Sequence, residues 1–228
     1  MKLLATDYDG TFKSNLRSLQ LNKVAIEDFM NKGNKFAIVT GRNFKYIKKD
    51  INRYGIKYDY LACNNGLIVF DNKDNIINSS VLSSDDLNFI CSAATEFGIK
   101  TPRLYNYYSK TNNNENILEV FLRFKNINSA REYIKNIESN LENIKCFYIG
   151  PYIFISNKIN KADAVSLISE RENIAQEDIF TVGDYKNDIE MLQMYNGHRM
   201  LFSKPNLWFK QIPTTRQVHS LVKKIDCR

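Results

Sequence analysis

Lys2-Leu3-Leu4-Ala5-Thr6-Asp7-Tyr8-Asp9-Gly10-Thr11 decides how the rest of the chain reads. Lys2 to Thr6 is short and mostly apolar, the pattern of a strand buried on both faces of a parallel sheet, so Asp7 and Asp9 fall where that strand ends. Active sites of open α/β sheets collect at that edge. With Gly10 allowing a sharp turn behind them, two carboxylates two residues apart can project into one small volume. They repel each other unless a cation or a shared proton lies between them, and Mg²⁺ is the simplest resolution at neutral pH. A plain Asp-Gly turn is the competing reading of the same residues, and only the rest of the chain separates the two.

The pattern recurs downstream. Lys35-Phe36-Ala37-Ile38-Val39 reads as a second buried strand and ends in Thr40-Gly41-Arg42. A hydroxyl at a strand end, followed by Gly41 and the amides of a helix start, can hold a phosphate oxygen; equally, Thr40 can cap the helix that carries Phe44, Ile47 and Ile51. Between the two strands, Leu21, Val24, Ala25 and Phe29 predict the apolar stripe of a helix running from about Ser18 to Gly33. Tyr60 to Cys63 and Leu67 to Phe70 flank Asn64-Asn65-Gly66, a turn signal whose asparagines can line the site.

Past residue 157 the β/α alternation returns. Lys161 opens a helix with Ala164, Val165, Leu167 and Ile168 on its apolar side, and Ile179 to Val182 is another buried strand, ending in Gly183-Asp184-Tyr185-Lys186-Asn187-Asp188. Asp184 follows the strand and Asp188 lies one helical turn on, so both can point toward the first acidic tip. Two strands that both end in acidic clusters are hard to explain as turns, and oxygen ligands suit Mg²⁺ rather than zinc. Val218, Leu221, Val222 and Ile225 predict a packing helix, and Trp208, His198 and His219 read as structural.

The middle of the chain has a different order, helix-strand-strand-helix-strand-strand, with Arg103 to Tyr108 and Ile117 to Phe124 as strands on either side of a polar turn from Lys110 to Asn116. Such a unit makes an antiparallel sheet with its helices on one face. Leu118, Val120, Leu122 and Phe124 form the row expected to meet the helices; Glu119, Phe121 and Arg123 form the open row, which is either a lid face or simply solvated. The fold class expected is therefore α/β, a Rossmann-like parallel-sheet core from residues 1–81 and 157–228 with a small α+β unit, 82–156, inserted into it.

Composition agrees with a soluble globular chain. Its 228 residues are 43% hydrophobic, enough to fill real cores, and no run approaches the length of a membrane span. Cys63, Cys91, Cys146 and Cys227 are scattered, without the spacing of a zinc site or a disulfide framework, which suits a cytoplasmic setting. The net charge of +7 is spread along the chain rather than massed in a block, so it reads as a solvated surface that favours anionic substrates and not as a nucleic-acid site.

Together these stretches resemble the haloacid dehalogenase superfamily of phosphatases and phosphotransferases, in the Cof-type branch with an α/β cap inserted after the third strand. Asp7-Tyr8-Asp9-Gly10-Thr11 resembles its first motif, Val39-Thr40-Gly41-Arg42 its second, Lys161-Ala162-Asp163-Ala164 its third and Gly183 to Asp188 its fourth. Ala162 stands where the family usually has glycine, and Lys158 is a nearby competitor for the role of Lys161. The resemblance implies Asp7 as nucleophile and Asp9 as acid and base in turn. It implies Mg²⁺ held by Asp7, the Asp9 backbone carbonyl and Asp184, with Asp188 acting through water or from behind. It further implies phosphate held by Thr40, Gly41 and Lys161 and oriented by Asn187, and a small phosphorylated metabolite as substrate. Arg42, Asn65, Arg103, Phe121 and Arg123 are candidate substrate contacts. A mutase of the phosphomannomutase type and a catalytically silent basic binding protein are the alternative readings, and the oligomeric state is open.

Overall fold

Leu3, Leu4 and Ala5 are completely buried, and the strand they form, β1 (Leu3–Thr6), lies inside the first of two sheets in the computed structural model, which describes residues 1–202 and 211–226. The strand and helix bounds continue as α1 (Leu16–Asn31), β2 (Lys35–Val39), α2 (Phe44–Tyr54), β3 (Tyr60–Cys63), β4 (Ile68–Asp71) and β5 (Ile76–Ser79). After the middle segment come α5 (Lys161–Arg171), β11 (Ile179–Gly183), α6 (Ile189–Met194), β12 (Asn196–Met200), β13 (Thr214–Thr215) and α7 (Val218–Asp226). Among the described residues the sheet order is β13-β12-β11-β1-β2-β3-β4-β5. The pairs from β13 to β3 are parallel, and β4 turns back antiparallel on β3 through the Asn64–Gly66 turn.

This register positions the functional edge. Thr6 lies level with Val182 and with Ile38, so Asp7, Gly183 and Val39 all leave the sheet at one end. The Asp7 amide donates to the Val182 carbonyl (2.8 Å), which carries the pairing one residue past β1. Below that edge Leu3, Ala5, Ala37 and Val39 pack with Val165 and Ile168 of α5. Asn160 starts that helix: its side chain accepts from the amides of Ala162 and Asp163, while the Asp163 carboxylate accepts from the Asn160 amide.

The apolar stripe expected for α1 is corrected. Leu21 and Val24 are 46% and 70% exposed, and the buried positions are Ser18, Leu19, Asn22, Ile26 and Phe29. The cause is Asn22, a polar residue on the inner face whose amide has tertiary partners: it donates to the Phe12 carbonyl (2.8 Å) and accepts from the His219 amide of α7 (2.9 Å). His219 is structural, as expected, with Nδ1 3.1 Å from the same oxygen. Trp208, Cys227 and residues 203–210 lie outside the described residues.

The middle segment forms its own sheet. Its elements are α3 (Ser84–Glu96), β6 (Arg103–Tyr105), β7 (Lys110–Thr111), β8 (Glu119–Arg123), α4 (Ile127–Asn140), β9 (Ile144–Ile149) and β10 (Tyr152–Asn157), with sheet order β7-β6-β8-β10-β9, all antiparallel. Val120, Leu122 and Phe124 are buried with Ile90, Tyr133, Ile137, Ile153 and Ile155, as the alternation required, and Leu118 is buried too but is not part of that cluster. Glu119, Phe121 and Arg123 take the other face, where Phe121 packs on Tyr152 and Phe154. The polar turn expected from Lys110 is corrected: Lys110 and Thr111 pair with Tyr105 and Leu104, because the Asn106 side chain accepts from the amides of Tyr108 and Ser109 and closes the hairpin early.

By internal contacts the chain divides into two compact units, Met1–Arg42 with Tyr46–Asn78 and Asn160–Arg228, and Asn43–Lys45 with Ser79–Ile159. Among the described residues no helix is long and apolar enough to cross a membrane.

Candidate active site

The carboxyl ends of β1 and β11 bring Asp7, Asp184 and Asp188 together, with one oxygen of each within 4.8 Å of the others. Two glycines make the approach possible. Gly10 has φ +80°, and a Cβ there would collide with the Asp184 carboxylate; a Cβ on Gly183 would collide with Asp188. Lys161, wholly buried at the start of α5, places Nζ 2.6 Å from Asp7 Oδ1 and 2.6 Å from Asp188 Oδ1. Of the two candidate lysines it is therefore Lys161 that reaches the acids; Lys158 belongs to the second unit.

Three carboxylates against one ammonium ion leave the knot two charges negative. Burial, together with Asp188 and Asp184, pushes Asp7 up to about 7 against the pull of Lys161. Burial also raises Asp184, against the hydrogen bond from Thr11. Lys161 goes up although burial opposes it, because Asp7 and Asp188 favour its charge. A doubly charged cation matches this deficit, and the donors are hard carboxylate oxygens, so the set fits Mg²⁺. Asp188 is the least available ligand: Oδ1 is held by Lys161, and Oδ2 accepts from the amides of Asp184 and Tyr185, 2.9 Å each. Thr11, unassigned by sequence although it closes the decisive stretch, donates to Asp184 Oδ1 (2.8 Å).

Asp9 lies elsewhere. Its carboxylate is not one of the three clustered acids, and it is 54% exposed where Asp7 is 10%. Arg42 grips both its oxygens, Nε to Oδ2 at 2.6 Å and a terminal nitrogen to Oδ1 at 2.5 Å. The other terminal nitrogen of Arg42 reaches Asp50 Oδ2 (3.1 Å), so Arg42 is not a free guanidinium awaiting substrate. Thr40 is buried, and its Oγ accepts from the Arg42 amide (3.2 Å), a short turn that ends before α2 begins at Phe44 and so is not the helix cap considered as the alternative to phosphate binding. Asn65, in the left-handed region at φ 57°, donates its amide to the Thr40 carbonyl (2.9 Å) and accepts from Asn187 Nδ2 (2.7 Å), tying the β2 and β11 loops together beside Gly41. Arg103, Phe121 and Arg123 belong to the second unit: Arg103 lies over the Phe121 ring at 5.3 Å, and Arg123 over Tyr152 at 5.8 Å.

Comparison with known proteins places this geometry in a family. The model of haloacid dehalogenase-like hydrolases matches residues 4–107 and 100–200. The 5-amino-6-(5-phospho-D-ribitylamino)uracil phosphatase YcsE of Bacillus subtilis is 23% identical over 215 residues, covering 85% of this chain and 80% of its own. Among solved structures, an HAD/COF-like hydrolase from Plasmodium vivax superposes with TM-score 0.79 at 17% identity, covering all of this chain and 96% of its own. The sucrose-phosphatase of Synechocystis, solved with sucrose and phosphate, superposes with TM-score 0.72 at 13% identity over 99% and 97% of the two chains. With the family model spanning most of its length, the chain belongs to the haloacid dehalogenase-like hydrolases.

Proposed function

We propose that the protein is a Mg²⁺-dependent phosphatase that hydrolyses a small phosphorylated sugar or polyol through an aspartyl-phosphate, an acyl phosphate formed on Asp7. The observation that carries this is the buried knot itself: Asp7 at a strand tip, with Asp184 and Asp188 converging on it and Lys161 bonded to it. Named phosphatases among its relatives, one acting on a phosphoribitylamino-uracil and one on sucrose phosphate, support the substrate class.

Asp7, Asp184 and the Asp9 carbonyl would hold the ion, with Asp188 behind them. When bound, Mg²⁺ supplies the positive charge that lets a carboxylate approach a phosphate dianion. In the first displacement an Asp7 oxygen bonds to phosphorus, the bond from phosphorus to the substrate oxygen breaks, and Asp9 gives that oxygen its proton. In the second, Asp9 takes a proton from water as the water oxygen bonds to phosphorus; the bond from phosphorus to Asp7 breaks, releasing inorganic phosphate and the free carboxylate. Thr40, Gly41 and Lys161 are assigned to the remaining phosphate oxygens, and Asn187, braced by Asn65, to their orientation. Arg103, Phe121 and Arg123 are assigned to substrate selection, and the 82–156 unit to the role of a cap. The unpaired thiols of Cys63, Cys91 and Cys146 suit a cytoplasmic setting.

A screen of phosphorylated metabolites for phosphate release with and without Mg²⁺, using Asp7→Asn as blank, tests the assignment. Mg²⁺-dependent release that falls by more than about a thousandfold in the variant is expected. Equal release by the variant refutes it, and turnover that needs a bisphosphate activator assigns the chain to a mutase instead.

A further inference from the structure

Asp50 lies on α2 and belongs to none of the four motif stretches, yet three side chains converge on one of its oxygens. Oδ2 accepts from Lys13 Nζ (2.7 Å), from a terminal nitrogen of Arg42 (3.1 Å) and from the Tyr8 hydroxyl (3.2 Å). The Asp50 side chain is only 15% exposed. Tyr8 is wholly buried, and its ring lies under Lys13 at 5.8 Å and under the Arg42 guanidinium at 5.1 Å. Lys13 reaches this place because the loop after β1 folds back, with the Lys13 amide donating to the Tyr8 carbonyl (2.8 Å).

From this arrangement we infer that Asp50 is a positioning residue for Asp9, acting through Arg42. This rests on the proposed phosphatase reaction. Asp9 is a half-exposed carboxylate on a loop, free in itself to turn among rotamers. Arg42 fixes it by a two-pronged bond, the geometry a planar guanidinium forms best with a carboxylate. A long arginine side chain is no firmer than its own anchor, and that anchor is Asp50, held by Lys13 and the Tyr8 hydroxyl, while Arg42 itself lies over the Tyr8 ring. Two cations, Arg42 and Lys13, balance two anions, Asp9 and Asp50, so the cluster is neutral as a whole. Loss of Asp50 leaves Lys13 and Arg42 without the carboxylate they share, repelling each other, with Asp9 the carboxylate that Arg42 still holds. Aim matters here, because a displacement of about 1 Å at a reacting group costs up to a hundredfold in rate.

The test compares Asp50→Asn and Lys13→Met with the parent enzyme on β-glycerophosphate and 4-nitrophenyl phosphate, reading kcat/KM, which reports the first displacement. An alkoxide needs the proton from Asp9, and a nitrophenolate leaves without one. For each variant the fall on β-glycerophosphate is expected to exceed that on 4-nitrophenyl phosphate by about tenfold. Equal falls on the two substrates, or none, overturn the inference. Magnesium-loaded parent enzyme that hydrolyses neither overturns the phosphatase reading instead. A second measurement then decides the clamp without turnover. The Arg42 Nε–H resonance, assigned by its absence in Arg42→Lys, should exchange with water at least about tenfold faster in Asp50→Asn, the β1 amides staying in place. Unchanged exchange shows that Asp50 anchors nothing.

Discussion

At the carboxyl end of β1 two buried carboxylates, a half-buried third and a buried ammonium ion are packed together; on the open face of β8 two guanidinium ions lie over aromatic rings with no carboxylate bonded to them among the described residues. The first region buries its charge and offsets it only in part, at the expense of desolvation, so each group depends on its neighbours. The second keeps its charge in water and its rings half-exposed, so each side chain is nearly independent. Chemistry and stability are therefore coupled at the sheet edge and separable on the sheet face. A change at the edge should disturb folding and turnover together, and a change on the face should leave the fold nearly intact.

The largest effect should come from Lys161→Met. Asp7 and Asp188 would each lose a hydrogen bond of 2.6 Å and face each other across a buried space with no compensating charge. The expected cost is about 3–5 kcal/mol in urea unfolding, with phosphate release abolished. Millimolar Mg²⁺ should return part of that stability, since an ion that binds only the folded knot stabilises it by mass action. A variant as stable as the parent would mean that Lys161 does not offset the repulsion between the clustered acids. Next comes Leu122→Ala, expected to cost about 2–5 kcal/mol because the side chain is buried in the second unit's core. Phe147→Ser, on the opposite face of the same sheet and 42% exposed, should cost no more than about 0.5 kcal/mol. Similar losses for the two would erase the distinction between the faces.

How far each region could be read from sequence follows from the same difference. Buried parallel strands announce themselves as apolar runs, and Asp, Gly and Thr at their ends mark the edge, so Asp7, Thr40, Lys161, Asp184 and Asp188 were legible as positions. Local pattern could not reveal partners supplied by distant elements. Asn22 faces the core only because Phe12 and the His219 amide meet its side chain, so Leu21 and Val24 of the expected α1 stripe turn outward while Phe29 stays in the core. Lys110 and Thr111 look like loop, and become a strand only by pairing with β6. The Ile76–Ser79 strand carries no signal of its own, since half of it is exposed and it is itself the edge, next to β4 alone among the described residues. Asp50 shows the limit most clearly. A lone acid on a helix resembles any solvated residue until Lys13, Tyr8 and Arg42 are seen around it.

Glu119 stands between the two extremes and should give a smaller effect with a definite sign. Burial pushes its carboxyl up to about 7, with the charge of Lys145 pulling the other way. The unfolded carboxyl ionises near 4.5, so the folded state binds the proton more tightly. Stability should be greatest below that value, fall as pH climbs from 4.5 to about 7, and level off above. Glu119→Gln should remove this slope and stabilise the neutral protein by on the order of 1–2 kcal/mol. The difference between the two urea midpoints across pH 4–8 isolates it from every other titrating group, and a constant difference would show that Glu119 is as well solvated as an ordinary surface acid.

The smallest effect should be that of Arg123→Ala. Its guanidinium lies 5.8 Å over the Tyr152 ring, a cation–π contact worth about 0.5–1 kcal/mol at an exposed site. Paired with Tyr152→Leu in a double-mutant cycle, the coupling should not exceed about 1 kcal/mol. Kinetics can be more sensitive than stability at this position. If Arg123 selects substrate, its loss should raise KM severalfold and leave kcat alone, because an interaction made equally in ground and transition states changes binding only. A fall in kcat at constant KM would tie Arg123 to the reacting groups themselves, and the separation of face from edge drawn above would not hold.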